Sequence, residues 1–202
     1  VFFQIVKEDD NPENTLRSIT TYFVMGISLL WVVAAIWGPE ILRLMTTPSF
    51  HEAYVYIGPL GLIPVLLLLY TFLASGIDSG KDLRPYLLVN AIGLIVLIGS
   101  SYVLIKQFGV YGAILGAVSS RLVMIFVAIR FSQDRLPVKY NYTLIILIIT
   151  LASLFAVTPH FIHEFVLLDR LKINVVLMFL LPVSYIMVMS MFKVERAQLK
   201  NG

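Results

Sequence analysis

The sequence has 202 residues, of which 59% are hydrophobic and only 13% carry a charge, and its mean hydropathy is +0.90. A soluble domain has about a quarter charged residues, so this chain lacks the polar surface of a soluble protein and is predicted to lie in a membrane. The net charge of +3 does not indicate a nucleic-acid partner, because the basic residues are scattered without a long run. The chain has no cysteine, which excludes disulfides, thiol chemistry and cysteine-ligated metals.

Apolar windows bounded by charged residues, glycine and proline predict six membrane spans. They cover residues 18–37, 53–76, 86–105, 110–131, 142–157 and 173–192. The windows are apolar on all sides and too long for strands, so helices are the expected structure. We therefore predict an all-α integral membrane protein with a polar segment at 1–17, a six-helix transmembrane bundle at 18–192 and a tail at 193–202.

The distribution of lysine and arginine predicts the orientation of the spans. Ten basic residues fall in the two terminal segments and in the loops after the second and fourth spans, whereas four fall in the remaining loops. Because cytoplasmic loops carry the excess of basic residues, both termini are predicted to be cytoplasmic. The spans then form three hairpins, at 18–76, 86–131 and 142–192.

All twelve acidic residues lie outside the predicted spans, so the carboxylates that act as proton or sodium relays in transporters are not expected in them. Arg121 is the one charge inside a span, roughly 13–18 Å from either end of its helix. A central arginine costs at least about 2.5 kcal/mol to insert and is expected to face a protein or water-filled interior. Its partner is expected to be an anionic substrate or an acid elsewhere in a larger protein; alternatively, it bonds backbone carbonyls or extends to the interface.

Small residues recur every four positions in the fourth span, which predicts a close contact with another helix. One stripe consists of Gly112, Gly116 and Ser120, and the adjacent one of Ala113, Ala117 and Arg121. In the third span, Asn90 shares a face with Gly93 and Ser100. Asn90 is predicted either to line a hydrophilic path or to make an interhelical hydrogen bond worth about 0.6 kcal/mol.

Two other sequence patterns are candidates for functional sites. Pro59 and Pro64 each remove a backbone hydrogen bond from the second span, which predicts a kinked or loosened helix. His160, His163 and Glu164 form an H-x-x-H-E cluster, but this spacing matches neither zinc-peptidase pattern, H-E-x-x-H or H-x-x-E-H. No metal site and no catalytic residues are predicted.

Several stretches resemble the polysaccharide (O-antigen and exopolysaccharide) flippases of the multidrug/oligosaccharidyl-lipid/polysaccharide exporter superfamily. They are residues 38–45 (GPEILRLM) followed by 50–54 (FHEAY), residues 75–77 (SGI) with 80–81 (GK), and Asn90 followed by residues 108–113 (FGVYGA). The last two spans are similar to the extra hairpin of the family's fourteen-helix members. The resemblance implies that this chain is the last six helices, most of the C-terminal lobe, of a larger two-lobe transporter.

Transporters of this kind enclose a cationic central cavity that carries undecaprenyl-pyrophosphate-linked oligosaccharide across the cytoplasmic (inner) membrane for lipopolysaccharide or exopolysaccharide synthesis. By this resemblance Arg121 contributes to the cavity, and Arg121 and Asn90 are the candidate substrate-binding residues. The expected function is transport, not enzymatic catalysis, and needs no cofactor. The expected partners are the bilayer, the lipid-linked oligosaccharide and the remaining N-terminal helices.

Two alternatives stay open. One is a multidrug exporter of the same superfamily, which the lack of an acid in the predicted spans disfavours. The other is a small membrane-embedded glycan-modifying enzyme, such as an acyltransferase or phosphatase, in which Arg121 and the histidines would be catalytic.

Overall fold

The computed structural model describes residues 12–78, 84–134 and 138–162, together with residues 172, 174–177, 180, 182–184, 186 and 190. Every regular element in these residues is helical, and none of them forms a strand. The elements are α1 (Pro12–Met45), the 3-10 helix η1 (Pro48–Ala53), α2 (Tyr54–Leu73), α3 (Ser75–Asp78), α4 (Arg84–Phe108), α5 (Val110–Gln133) and α6 (Tyr142–Ile162). The all-α prediction is confirmed.

Four helical segments are long and apolar enough to cross a membrane. They are Asn14–Met45, Pro48–Ile77, Arg84–Phe108 and Val110–Gln133, and they overlap the first four predicted spans. The fifth and sixth predicted spans coincide with shorter apolar helices, Tyr142–Val157 and Asn174–Ser184, the latter described only in part. The chain therefore has the helices of a membrane protein, while the count of six spans and the three hairpins stay predictions.

Helix α1 is longer than the predicted first span. It begins at Pro12, whose fixed φ suits the first turn of a helix, and so takes in the end of the polar segment predicted at 1–17. It also continues beyond Pro39 to Met45, because a proline removes only the hydrogen bond to the carbonyl four residues earlier and the later hydrogen bonds of the helix can still form.

The apolar segments contain two acidic residues that the sequence analysis placed outside the spans. Glu52 lies near the start of its segment and is exposed, whereas Glu40 lies inside α1. The Oε2 atom of Glu40 is buried, and within the described part of the chain it has no hydrogen-bond partner. The helical segments extend beyond the predicted spans 18–37 and 53–76 and therefore include both carboxylates, while the limits of the bilayer along them stay a prediction.

Helix α2 runs from Tyr54 to Leu73 with no break in its helical assignment, although it contains Pro59 and Pro64. The prolines deprive the carbonyls of Val55 and Leu60 of their helical donors. These losses are local, so the helix continues through both prolines.

Helices α4 and α5 lie side by side and run in opposite directions. The Ser120 hydroxyl donates to the Gly93 carbonyl (2.7 Å), and the Ser100 hydroxyl donates to the Gly116 carbonyl (3.3 Å). Because the later residue on α4 pairs with the earlier residue on α5, the helices are antiparallel. Gly109 joins them with a φ of +57°, in the left-handed region that glycine adopts without steric cost.

The predicted close contact of the fourth span is confirmed, and its partner is α4. A Cβ added at Gly112 would overlap the Leu104 backbone carbonyl, and one added at Gly116 would overlap Ser101. The absence of side chains at these two positions brings the helix backbones together.

By their internal contacts the residues form two compact units. The first takes in the start of α1 as far as Phe23 together with Leu62–Tyr140, and the second takes in Val24–Gly61 and the chain from Asn141 onward. Buried residues of the first unit include Val65, Leu69, Leu73, Val89, Met124 and Ala128, and those of the second include Val32, Ile36, Ile148 and Ala152. In the second unit, the Trp31 Nε1 donates to the Gly58 carbonyl at 2.7 Å.

Candidate functional site

A cavity of about 210 Å³ lies in the first unit. Its lining comes from α4, α5 and one residue of α2, and consists of Ile63, Asn90, Gly93, Leu94, Leu97, Ala117, Ser120, Arg121 and Met124. Both residues that the sequence analysis proposed for substrate binding, Arg121 and Asn90, are therefore brought to one cavity from two different helices.

Small residues hold the two helices together beside the cavity. Ser120 is buried, and its hydroxyl is used by the hydrogen bond to the Gly93 carbonyl. A Cβ added at Gly93 would overlap the side chain of Met124. The absence of a side chain at Gly93 therefore allows Met124 to pack against α4.

Arg121 lies near the middle of its helix. Helix α5 has 24 residues, so it is about 36 Å long, and Arg121 is roughly 17 Å from either end. Its Nη1 contacts the Met124 sulfur at 3.3 Å. Met124 follows three residues later on the same helix, so the two side chains are neighbours on one face.

The hydrogen bonding of Arg121 is weak for a buried cation. A guanidinium has five N–H donors, and a thioether sulfur is a poor acceptor. Within the described residues the Met124 sulfur is the acceptor that Arg121 contacts, and no carboxylate pairs with the guanidinium. Arg121 is half-buried and lines the cavity, so in the part of the chain that the structure describes its other N–H groups have no protein acceptor.

Asn90 contributes an amide to the same cavity from α4. Its Nδ2 donates to the Tyr86 carbonyl at 2.8 Å and to the Tyr70 hydroxyl at 3.3 Å. A carbonyl only accepts, so the first bond fixes which amide atom is nitrogen. The Oδ1 is left as the acceptor that Asn90 offers.

Asn90 and Arg121 lie at neighbouring levels of the hairpin. The Ser120 hydroxyl donates to the Gly93 carbonyl, so these two residues mark one level. Arg121 is next to Ser120, and Asn90 is three residues, about 4.5 Å, from Gly93 toward the start of α4. The two polar side chains therefore line the same part of the cavity.

The side chains that line the cavity are suited to bind a ligand and not to catalyse a reaction. Its described lining contains one cation, one amide and one hydroxyl, and no histidine, cysteine or carboxylate. The Ser120 hydroxyl donates to a backbone carbonyl, and the lining offers no base that would activate it as a nucleophile. Such a site is suited to hold an anion through charge-assisted hydrogen bonds.

Two contributors were missed by the sequence analysis. Met124 follows Arg121 by three residues. Residues at this spacing are neighbours on a helix, so the contact between Met124 and Arg121 could have been predicted from the sequence. Tyr70 belongs to α2, and no local pattern signals its hydrogen bond to Asn90.

The histidine cluster at His160, His163 and Glu164 lies outside the side chains that the structure describes. Among the described residues, no group of three or more His, Cys, Asp or Glu side chains is placed to hold a metal ion.

Comparison of the chain with protein-family models, with curated proteins and with solved structures gives no match.

Proposed function

We propose that the protein is a membrane transporter that carries a lipid-linked, pyrophosphate-containing oligosaccharide across the cytoplasmic membrane. The observation that carries this proposal is Arg121, a cation halfway along an apolar helix, which faces a cavity and has only a thioether as its described partner. Both termini are cytoplasmic in this proposal, and further helices N-terminal to this chain complete the transporter.

The energetics of a membrane arginine favour an anionic ligand. Insertion of arginine at the centre of a span costs at least about 2.5 kcal/mol, which a contact with sulfur does not offset. A diphosphate offers several acceptor oxygens, and guanidinium groups bind such oxygens in pairs. A transported diphosphate would satisfy the arginine only while it is bound, which leaves the empty site open to the next substrate.

The remaining lining suits the other parts of such a substrate. Ile63, Leu94 and Leu97 form an apolar wall, and Leu94 is 56% exposed, so a hydrocarbon chain that leaves the cavity past it stays in apolar surroundings. The Asn90 Oδ1 is an acceptor for sugar hydroxyls. One cavity thus offers contacts for a charged, an apolar and a hydroxylated group.

Thermal unfolding of the purified full-length protein tests this assignment, with undecaprenyl pyrophosphate and undecaprenol as probes. The two lipids share the chain and differ in the diphosphate, so the pyrophosphate is expected to raise Tm more than the alcohol does. Arg121→Ala is expected to abolish the difference. Arg130→Ala, which removes a cation from the same helix outside the cavity, is the matched control and keeps it. Equal shifts for both lipids in the unmodified protein would contradict the proposal.

A second candidate function gains support from Glu40. A multidrug exporter that extrudes cations needs a membrane carboxylate, and Glu40 in α1 has a buried oxygen with no described partner, which supports this candidate. If this reading is correct, Glu40→Gln abolishes efflux of a cationic dye from cells, and Arg121→Ala leaves it intact. The flippase proposal predicts that cells gain no dye efflux from the protein at all.

A further inference from the structure

A second cavity lies in the second unit, at the turn between α1 and α2. It has a volume of about 180 Å³ and is lined by Pro39, Arg43, His51, Glu52 and Tyr54. It shares no residue with the Arg121 cavity, and the proposed transport does not use it.

The charges of this second cavity are opposite and are not paired with each other. Arg43 and Glu52 are both exposed. Although they line the same small volume, neither forms an ion pair or hydrogen bond within the described part of the chain. A ligand that carries a negative and a positive group a few bonds apart would pair with both of them at once.

His51 adds an acceptor to the cavity. Its Nε2 lies 3.3 Å from the Thr46 carbonyl oxygen. Because a carbonyl only accepts, Nε2 carries the proton in this hydrogen bond. In the neutral ring, Nδ1 is then an acceptor and can receive an N–H from a ligand.

The residues around the cavity suit a membrane surface. The turn joins the candidate spans Asn14–Met45 and Pro48–Ile77, so it is expected where both helices leave the bilayer. Beside the charged residues in the chain, Leu44 is 87%, Met45 79% and Phe50 61% exposed. A ligand that is held by the charges and also has hydrocarbon chains would place those chains against these side chains.

We propose that this cavity binds the headgroup of phosphatidylethanolamine. The phosphate pairs with the Arg43 guanidinium, and the primary ammonium donates to the Glu52 carboxylate and to the His51 Nδ1. Phosphatidylglycerol offers no cation for Glu52, and phosphatidylcholine has no N–H to donate. The exposed apolar side chains assign the lipid, in preference to a free phosphoethanolamine ester, as the occupant.

Native mass spectrometry of the detergent-solubilised full-length protein tests this proposal. The probes are short-chain phosphatidylethanolamine, phosphatidylcholine and phosphatidylglycerol, and the soluble ester glycerophosphoethanolamine. Phosphatidylethanolamine is expected to bind about tenfold more tightly than the other two lipids, equivalent to about 1.4 kcal/mol. Arg43→Gln and Glu52→Gln are each expected to remove this preference. Lys106→Gln, which neutralises an exposed cation at the end of α4, is the control and keeps it.

Three results would overturn the proposal. Equal binding of the three lipids would mean that the headgroup is not recognised. A preference that survives Glu52→Gln would mean that only the phosphate is bound. Binding of the soluble ester as tight as that of the lipid would remove the role of the exposed apolar side chains. If Arg43→Gln fails to accumulate, Arg43→Lys keeps the charge and must keep the preference, and its loss would also contradict the assignment.

Discussion

Within the described residues the partner of Arg121 is a sulfur atom, and this contact supports the proposed ligand-binding role over a structural one. A structural arginine in a membrane helix uses its donors on carboxylates or backbone carbonyls. Arg121 instead contacts Met124, a weak acceptor that an anion displaces at little cost.

Asn90 makes an interhelical hydrogen bond to Tyr70 and also lines the cavity. Two variants distinguish the effects of these two roles. Tyr70→Phe removes the interhelical hydrogen bond of Asn90 from the other side and leaves the cavity lining unchanged. Asn90→Ala removes the same bond, the local bond to the Tyr86 carbonyl and the amide in the cavity. Because such interhelical bonds are worth about 0.6 kcal/mol, both variants are expected to lose a similar, small amount of stability.

A transport measurement distinguishes Asn90→Ala from Tyr70→Phe. Asn90→Ala is expected to lower export per molecule of membrane-inserted protein, whereas Tyr70→Phe keeps it near the level of the unmodified protein. Equal export by the two variants would show that Asn90 acts only through its hydrogen bond to Tyr70.

For single residues, the sequence identified polar side chains that stand in apolar windows. On this basis Arg121 and Asn90 were proposed as site residues, and both line one cavity from different helices. The contact between Asn90 and Tyr70 was not predictable, because it joins residues of different helices that share no pattern. The burial of Glu40 was missed for a different reason, since the first predicted span ends at residue 37 and the helix continues to Met45.

At the scale of elements, the antiparallel pair α4 and α5 depends on glycine. The contacts at Gly112 and Gly116 involve the backbone of α4, which cannot move aside as a flexible side chain can. Gly112→Leu and Gly116→Leu are therefore expected to cost at least about 1–3 kcal/mol of stability each and to reduce the amount of protein in the membrane.

Gly99 is the matched control for these substitutions. It lies in α4, the partner helix of Gly112 and Gly116, and no atom is found within 4 Å of a Cβ added there. Gly99→Leu is therefore expected to accumulate normally and to unfold at the same temperature as the unmodified protein. Normal abundance and unfolding temperature of Gly116→Leu would contradict the close-packing account.

The sequence predicted α4 and α5 well because both ends of each apolar window are marked by charged residues or glycine. It predicted that the small-residue stripe contacts a helix, but the spacing of small residues alone does not identify which helix. The antiparallel contact with α4 follows from the short Gly109 connection and from the complementary serines, Ser100 and Ser120, on the two surfaces.

At the scale of the whole molecule, the orientation in the membrane is still a prediction from basic residues. The chain has no cysteine, so single cysteines report their own position. Cysteines that replace Lys81 and Arg135 are expected to be protected from an impermeant thiol reagent in intact cells. A cysteine that replaces Lys106, at the opposite end of α4, is expected to react. Labelling at position 81 together with protection at position 106 would show that the protein has the opposite orientation in the membrane.

The central claim is that Arg121 holds the anionic part of a transported lipid. The most direct measurement is glycan export per molecule of membrane-inserted full-length protein, for the unmodified protein, Arg121→Lys, Arg121→Ala and the control Arg130→Ala. Both Arg121 variants are expected to accumulate normally, since alanine lowers the cost of insertion and lysine keeps the charge. Lysine cannot reproduce bidentate hydrogen bonds, so Arg121→Lys is expected to lose part of the export and Arg121→Ala most of it, with Arg130→Ala unaffected. Normal export per molecule by Arg121→Ala would contradict the account.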